Sequence, residues 1–243
     1  MTKKLFVVSD IHGYYTELMK ALADAGFDKN NESHIFVSCG DLFDRGTENT
    51  AVYNFVKSLD RKILIRGNHE DMLIQTLDRG YIDYANVSNG SDVTVDEFLG
   101  DGAVDSYGKF DVEAHADKIA EIKSFIASMS DYYENGKYVF AHGWLPVVFE
   151  GRYPVVDPNW REAPAEEWSY ARELGWHEMY AADAMLEGKV IICGHRATYI
   201  AHLFDESRAN DCNDIFYGDG VIAIDAGTYR TGRVNVLAIE VNE

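Results

Sequence analysis

Leu5-Phe6-Val7-Val8-Ser9-Asp10-Ile11-His12-Gly13 begins as a short apolar run and stops abruptly at an Asp-x-His-Gly turn. Runs of this length read as buried strands. Two residues apart at an extended strand end, Asp10 and His12 project to the same side. The arrangement recurs along the chain. Ile35-Phe36-Val37-Ser38-Cys39 leads into Gly40-Asp41-Leu42-Phe43-Asp44-Arg45-Gly46, and Ile63-Leu64-Ile65 leads into Arg66-Gly67-Asn68-His69-Glu70. Tyr138-Val139-Phe140-Ala141 leads into His142-Gly143, and Val190-Ile191-Ile192-Cys193 into Gly194-His195. Sites in α/β sheets are assembled at the carboxyl ends of strands, so five such ends with ligand-type residues predict a metal-centred site.

Helix-spaced apolar residues follow the first three strands: Leu18, Met19 and Leu22 after the first; Val52, Phe55, Val56 and Leu59 after the second; Met72, Leu73 and Leu77 after the third. Asn68 is the expected cap of the third helix and Gly80 its stop. This βαβαβα order predicts an α/β fold with parallel strands and right-handed crossovers. The whole chain, 1–243, reads as one domain. Residues 81–136 begin with an Asp- and Gly-rich stretch that breaks the rhythm and continue into a helix-spaced set, Ile119, Ile122 and Ile126. Residues 144–188 contain all four tryptophans and all four prolines. Both segments are expected to cover the site. Val221 to Ile224 and Val234 to Val241 are expected to pair as an antiparallel hairpin in a second sheet, with Asp225 structural.

Composition narrows the function. Of 243 residues 47% are apolar, which fits a globular domain. No run approaches the ~20 apolar residues of a membrane span, and Met1-Thr2-Lys3-Lys4 lacks the apolar stretch of a signal peptide. A cytoplasmic protein is expected. The net charge of −19 disfavours nucleic acid and anionic membrane as partners. It leaves an anionic substrate open, because bound cations and local arginines can reverse the field inside a site. Three widely spaced cysteines give no disulfide framework.

The ligand types define the chemistry. One divalent cation is expected on Asp10, His12 and Asp41, and a second on Asp41, Asn68, His142 and His195, with Asp41 as the bridge. Carboxylate, carboxamide and imidazole donors suit manganese first, with iron, zinc or nickel as alternatives. Two cations ~3.5–4 Å apart can clamp an in-line displacement at phosphorus and supply a bridging hydroxide. His69 is the candidate general acid, Asp44 its orienting partner, and Arg45 the phosphate contact, with Arg66 as a second.

Asp10-x-His12-Gly13, Gly40-Asp41-x-x-Asp44-Arg45-Gly46, Gly67-Asn68-His69-Glu70, His142-Gly143 and Gly194-His195 together resemble the calcineurin-like metallophosphoesterases. The Asp44-Arg45-Gly46 and Arg66-Gly67-Asn68-His69-Glu70 forms are similar to its phosphoprotein phosphatase branch, including bacterial and phage serine/threonine phosphatases and symmetrical diadenosine tetraphosphatases. The resemblance implies a four-layer α/β/β/α sandwich of two mixed sheets with a dinuclear centre. It implies hydrolysis of phosphomonoesters, first of phosphoserine or phosphothreonine in proteins and alternatively of dinucleoside polyphosphates, with no obligate regulatory subunit; a binding module that keeps the fold without turnover is the last alternative. A second phosphate-binding arginine is expected between the late histidines, and Arg172 resembles it best, ahead of Arg161. The chain departs from the family pattern at Ala197, where many members have histidine, at Arg196, where the branch often has threonine, and at Ser91 in Asn89-Gly90-Ser91.

Overall fold

Side-chain alternation along the first strand sorts the molecule into layers. In the computed structural model, which describes residues 2–242, β1 (Thr2–Val8) turns Leu5 and Val7 to one face and Phe6 and Val8 to the other. β1 pairs in parallel with β2 (His34–Ser38), and β2 with β3 (Lys62–Leu64), as the helical crossovers require. β11 (Leu237–Asn242) closes the other edge antiparallel to β1. A second sheet has the order β4 (Tyr133–Asn135), β5 (Tyr138–Phe140), β8 (Val190–Cys193), β10 (Val221–Ala223), β9 (Phe216–Gly218). Its central strands β5, β8 and β10 are parallel and its edge strands antiparallel. β6 (Val147–Glu150) and β7 (Tyr153–Val156) form a separate hairpin.

Three apolar cores give the four layers. Between the sheets lie Leu5, Val7, Val37, Phe140, Ile192 and Ile224. Outside the first sheet, Phe6, Phe36, Leu18, Val52, Leu73 and Ile122 bury the faces of α1 (Tyr15–Asp24), α2 (Asn49–Ser58), α3 (Asn68–Arg79) and α6 (Ala116–Ala127). Outside the second sheet, Val139, Ile191 and Val221 pack against all four tryptophans, on or near α7 (Ala165–Glu173) and α8 (Trp176–Ala181). The expected α/β/β/α sandwich is therefore the observed fold. Among the described residues, no helix is long and apolar enough to cross a membrane.

Several local expectations are corrected. The stretch after residue 81 contains α4 (Tyr84–Ser88) and α5 (Ser91–Leu99), and Val95 and Phe98 of α5 are buried in the first outer core. Much of 81–136 thus packs as a wall of the sandwich, while Asn89 lines the cavity at the strand ends. Likewise Trp144, Trp160, Trp168 and Trp176 are buried, with no aromatic face left to roof the site. β10 and β11 do not pair with each other. Asp225-Ala226-Gly227 and α9 (Thr228–Thr231) carry the chain across to the opposite sheet, because the open edge of β1 offers β11 a ladder there. Asn68 is the first residue of α3 rather than its cap. Gly67 caps the helix, and its N–H donates to the Glu70 carboxylate at 2.8 Å.

Candidate active site

Left-handed backbone marks the place where the strand ends converge. Seven described non-glycine residues have φ between 52° and 72°, and six of them are Asp10, His12, Asp41, Asp44, Arg45 and His195. Such conformations are held only where the surroundings over-determine them, and they gather at functional sites. The turns also pack too closely for larger residues. A Cβ on Gly40 would lie 2.7 Å from both the Gly67 backbone and His142 Nδ1, and one on Gly90 would lie 2.6 Å from the Arg45 nitrogen.

The structure brings Asp10, His12, Asp41, Asn68, His69, His142 and His195 around one centre. Atoms of His12, Asp41 and His69 lie within 4.8 Å of one another, as do atoms of Asp41, His142 and His195. Three of the imidazoles share one device. His12 Nδ1 lies 3.0 Å from the Phe43 carbonyl, His142 Nδ1 2.7 Å from that of Cys39, and His195 Nε2 3.1 Å from that of Glu173. A carbonyl can only accept, so each of these nitrogens is the donor and the other ring nitrogen is turned inward. His142 Nε2 is 2.9 Å and His195 Nδ1 3.1 Å from Asn68 Oδ1, while His12 Nε2 is 3.8 Å from Asp41. Anchoring of this kind fixes the ring orientation and turns the second nitrogen toward the centre.

His69 is anchored differently. Its Nδ1 meets the Asp44 carboxylate at 2.8 Å, leaving Nε2 toward the cavity. Burial opposes its charged form, yet the charge of Asp41 and the Asp44 hydrogen bond prevail and raise its pKa to about 9. His12 and His195 go the other way, each lowered to about 3 by burial and by a neighbouring imidazole. Burial also resists charge on His142, but Asp41 and then Asp10 raise it to about 10. Against burial, His142 and His69 hold Asp41 well below the usual carboxylate range. The pocket therefore concentrates positive charge on Asp41. Its donors are all oxygen and nitrogen, for Cys39 and Cys193 are buried at the ends of β2 and β8 with their thiols pushed up by burial. This donor set fits a pair of divalent cations.

Several supporting residues were not foreseen. The Glu70 carboxylate accepts from the backbone N–H of Asp41, Leu42 and Gly67 at 3.0, 2.9 and 2.8 Å, clipping the second turn to the third. Thr94 and Ser91 donate to Asp44 at 2.8 and 3.1 Å. Asn49 Oδ1 accepts from the Asp44 N–H, and Asn89 O from the Arg45 N–H. Asp225 is buried on the cavity wall, its carboxyl pushed well up by burial and by Asp10. Glu70 and the Asn89-Gly90-Ser91 stretch stand in the quoted motifs and Asp225 is expected to be structural, but nothing in the local sequence ties Asn49 or Thr94 to Asp44.

The arginines divide. Arg45 lines a cavity of about 390 Å³ above the centre, its buried Nε without a partner and its guanidinium 4.4 Å from the Tyr229 ring. Arg66 and Arg172, expected as phosphate contacts, do not line that cavity. Arg66 pairs with Asp71 at 2.5 Å, and Arg172 with Asp71 at 2.7 Å and Asp131 at 2.7 Å. Carboxylates already occupy both guanidiniums, a pairing that sequence spacing does not reveal. Arg161 is paired with Glu134.

Known proteins resemble this chain in sequence and in fold. The chain is 36% identical over 72 residues to serine/threonine-protein phosphatase 1 of Salmonella typhimurium, covering 30% of this chain and 32% of that protein. It is 35% identical over 85 residues to the symmetrical bis(5'-nucleosyl)-tetraphosphatase of Buchnera aphidicola, covering 35% and 27%. These matches span about a third or less of either relative. A Saccharomyces cerevisiae protein serine/threonine phosphatase superimposes with a TM-score of 0.55 at 15% identity, covering 99% of this chain and 80% of that one, which is a likeness of fold. The family model described as calcineurin-like phosphoesterase matches residues 3–227, and the chain belongs to that family.

Proposed function

We propose that this chain is a phosphoesterase that works with two divalent cations, manganese first and iron, zinc or nickel as alternatives. Asp10, His12 and Asp41 would hold one cation, and Asp41, Asn68, His142 and His195 the other. When bound, such a pair supplies acidified water near neutral pH and offsets charge on phosphoryl oxygens. The observation that carries the proposal is the contrast in anchoring: three imidazoles tied to backbone carbonyls, one tied to a carboxylate.

The chain's own residues supply the rest. Arg45, unpaired and facing the cavity, grips phosphoryl oxygens in a charge-assisted fork. His69, charged through Asp44, delivers a proton from Nε2 to the leaving oxygen. Ser91 and Thr94 occupy the Asp44 oxygens, so the carboxylate cannot rotate away from His69.

The substrate class follows the expectation: phosphoserine or phosphothreonine in proteins first, dinucleoside polyphosphates second. Burial of the four tryptophans removes their use as base-stacking surfaces in the second case. The test starts with para-nitrophenyl phosphate and manganese, where hydrolysis abolished by chelator is expected. Phosphopeptide and diadenosine tetraphosphate are then compared by kcat/KM. No turnover of any phosphoester with manganese, nickel or zinc would sink the proposal.

A further inference from the structure

The Asp44-Arg45-Gly46 turn carries two working side chains on strained backbone. Asp44 and Arg45 are consecutive non-glycine residues in the left-handed region, at φ 72° and 67°. Such a pair persists only where its surroundings over-determine it. One buried side chain grips both ends of the turn. Asn49 Oδ1 accepts from the Asp44 N–H at 3.0 Å, and Asn49 Nδ2 donates to the Gly46 carbonyl at 3.0 Å. The same amide lies under the first ligand turn, where a Cβ on Gly13 would come within 2.5 Å of Asn49 Oδ1. Asn49 can do this only while its amide keeps one orientation.

Glu97 on α5 fixes that orientation. Its Oε1 accepts from Asn49 Nδ2 at 2.9 Å, so Nδ2 meets two groups that can only accept. A flipped amide would set N–H against the Asp44 N–H and oxygen against both acceptors. The other Glu97 oxygen, Oε2, accepts from the Thr50 N–H at 2.9 Å, in the first turn of α2. The N-cap residue of α2, Glu48, makes no side-chain cap bond to it, so Glu97 supplies the cap from another helix. Glu48 instead accepts from the Thr16 N–H at 3.0 Å in the first turn of α1, and Glu70 caps α3. All three helices that follow the ligand turns of the first sheet therefore start under a glutamate carboxylate. Ser91, Thr94 and Glu97 are spaced three apart and share one face of α5. Ser91 and Thr94 hold the Asp44 carboxylate, and Glu97 holds Asn49 against the Asp44 backbone.

We propose that Glu97 is a positioning residue for the reaction: acting through Asn49, it sets the Asp44-Arg45-Gly46 turn and so the aim of His69 and Arg45. The proposal rests on the phosphoesterase reading of the centre. Glu97 does not line the cavity, and its whole effect passes along the chain Glu97, Asn49, Asp44. Its loss frees the amide, relaxes the strained turn and lets Asp44 draw away from His69.

The experiment measures kcat/KM on para-nitrophenyl phosphate divided by that on phenyl phosphate, at fixed free manganese. The two esters differ in how far the leaving oxygen needs a proton, and a ratio taken within one variant cancels any loss of active molecules. Glu97→Gln sets an amide N–H against either Asn49 Nδ2 or the Thr50 N–H, and the ratio is expected to rise about tenfold, within the cost of a small displacement at the centre. Glu97→Asp keeps both oxygens and is expected to raise it by less. In an Asn49→Ala background, Glu97→Gln is expected to add nothing further to the ratio. A ratio unchanged by Glu97→Gln overturns the proposal, and so does a full further rise in the Asn49→Ala background. Amide hydrogen exchange in the native chain covers any variant that fails to fold. The Thr50 and Asp44 N–H groups are expected to be as protected as the body of α2, and exchange of Thr50 like a frayed first turn overturns the proposal. A native chain that turns over no phosphoester would instead condemn the reading of the centre, while protection of both amides still supports the hold of Glu97 on the turn.

Discussion

The two halves of the sandwich contribute to the centre in opposite ways. The β1-β2-β3 half delivers Asp10, His12, Asp41, Asp44, Arg45, Asn68 and His69 from three consecutive strand-to-helix turns. Side chains clip those turns together: Glu70 across the second and third, and Asn49, Ser91 and Thr94 around Asp44. The second half delivers His142 and His195, with Asp225 on the cavity wall, and both histidines are keyed onto the first. His142 rests on the Cys39 carbonyl, and the His195 N–H donates to Asp10 at 2.9 Å. The first half thus holds its ligand turns with its own side chains, whereas the second rests its two ligands on the first. Polar clips should therefore matter for chemistry in the first half, and packing for integrity in the second.

The largest expected effect lies in the first half. His69→Ala should lower kcat by about 10²–10⁴ on a substrate with a poor leaving group, the range for loss of a general acid. Manganese titration should meanwhile show the metal content unchanged. The same variant should look far milder on para-nitrophenyl phosphate, whose leaving oxygen needs no proton. Full activity on the poor leaving group would remove His69 from the reaction and blur the difference between its anchoring and that of the other histidines.

Glu70→Gln tests the clip. Glu70 is buried and accepts from three backbone N–H groups, and burial followed by the Asp41 charge raises its carboxyl to about 7. A glutamine replaces one accepting oxygen with a donor, setting an N–H against an N–H. Manganese affinity is expected to drop about 10–100-fold, the usual cost of disturbing the groups that orient ligands. Calorimetric titration reads it directly, and an unchanged affinity would mean that the turns hold their shape without the clip.

How much of this could be read beforehand differs by half for the same physical reason. Residues of the first half announce themselves because strand, turn and helix each leave a local signature. The six ligand candidates, with His69 and Asp44, all meet where the strand ends predict. What stayed hidden depends on contacts between distant segments. The helix of Ser91 and Thr94 is masked by its acidic composition, and nothing near Arg172 says that Asp71 and Asp131 will claim it. Aromatic residues in a loop look alike whether they roof a site or fill a core. β11 was misplaced because adjacency in sequence suggested a hairpin, whereas the vacant edge of β1 decided its partner.

In the second half, packing should dominate. Trp176 is fully buried against Phe216, with ring centroids 5.0 Å apart, and donates to the Arg196 carbonyl. Trp176→Phe removes that donor and some volume, for an expected loss of about 1–3 kcal/mol in urea denaturation. Turnover per folded molecule should change little, since the ring stacks on Phe216 and supplies no side-chain group to the centre. A collapse of kcat with normal stability would show that this half positions the chemistry as strictly as the first.

The smallest expected effect lies at the edge of the same half. Glu134 on β4 accepts a fork from Arg161, at 2.9 Å for each contact, and meets Lys189 at 2.7 Å. The Arg161 hydrogen bond outweighs burial and, with Lys189, lowers the Glu134 carboxyl to about 2. A depressed carboxylate contributes stability above its unfolded pKa of about 4.3 and loses it as pH falls toward the folded value. The group is partly exposed, so solvent screening limits the contribution to about 1 kcal/mol or less. Glu134→Gln should therefore be slightly less stable than the native chain at pH 7, and the two should converge between pH 4 and about 2. A stability gap that persists unchanged to pH 2 would mean that the substitution acts through packing of β4, and that charge pairs do nothing for the second half of the molecule.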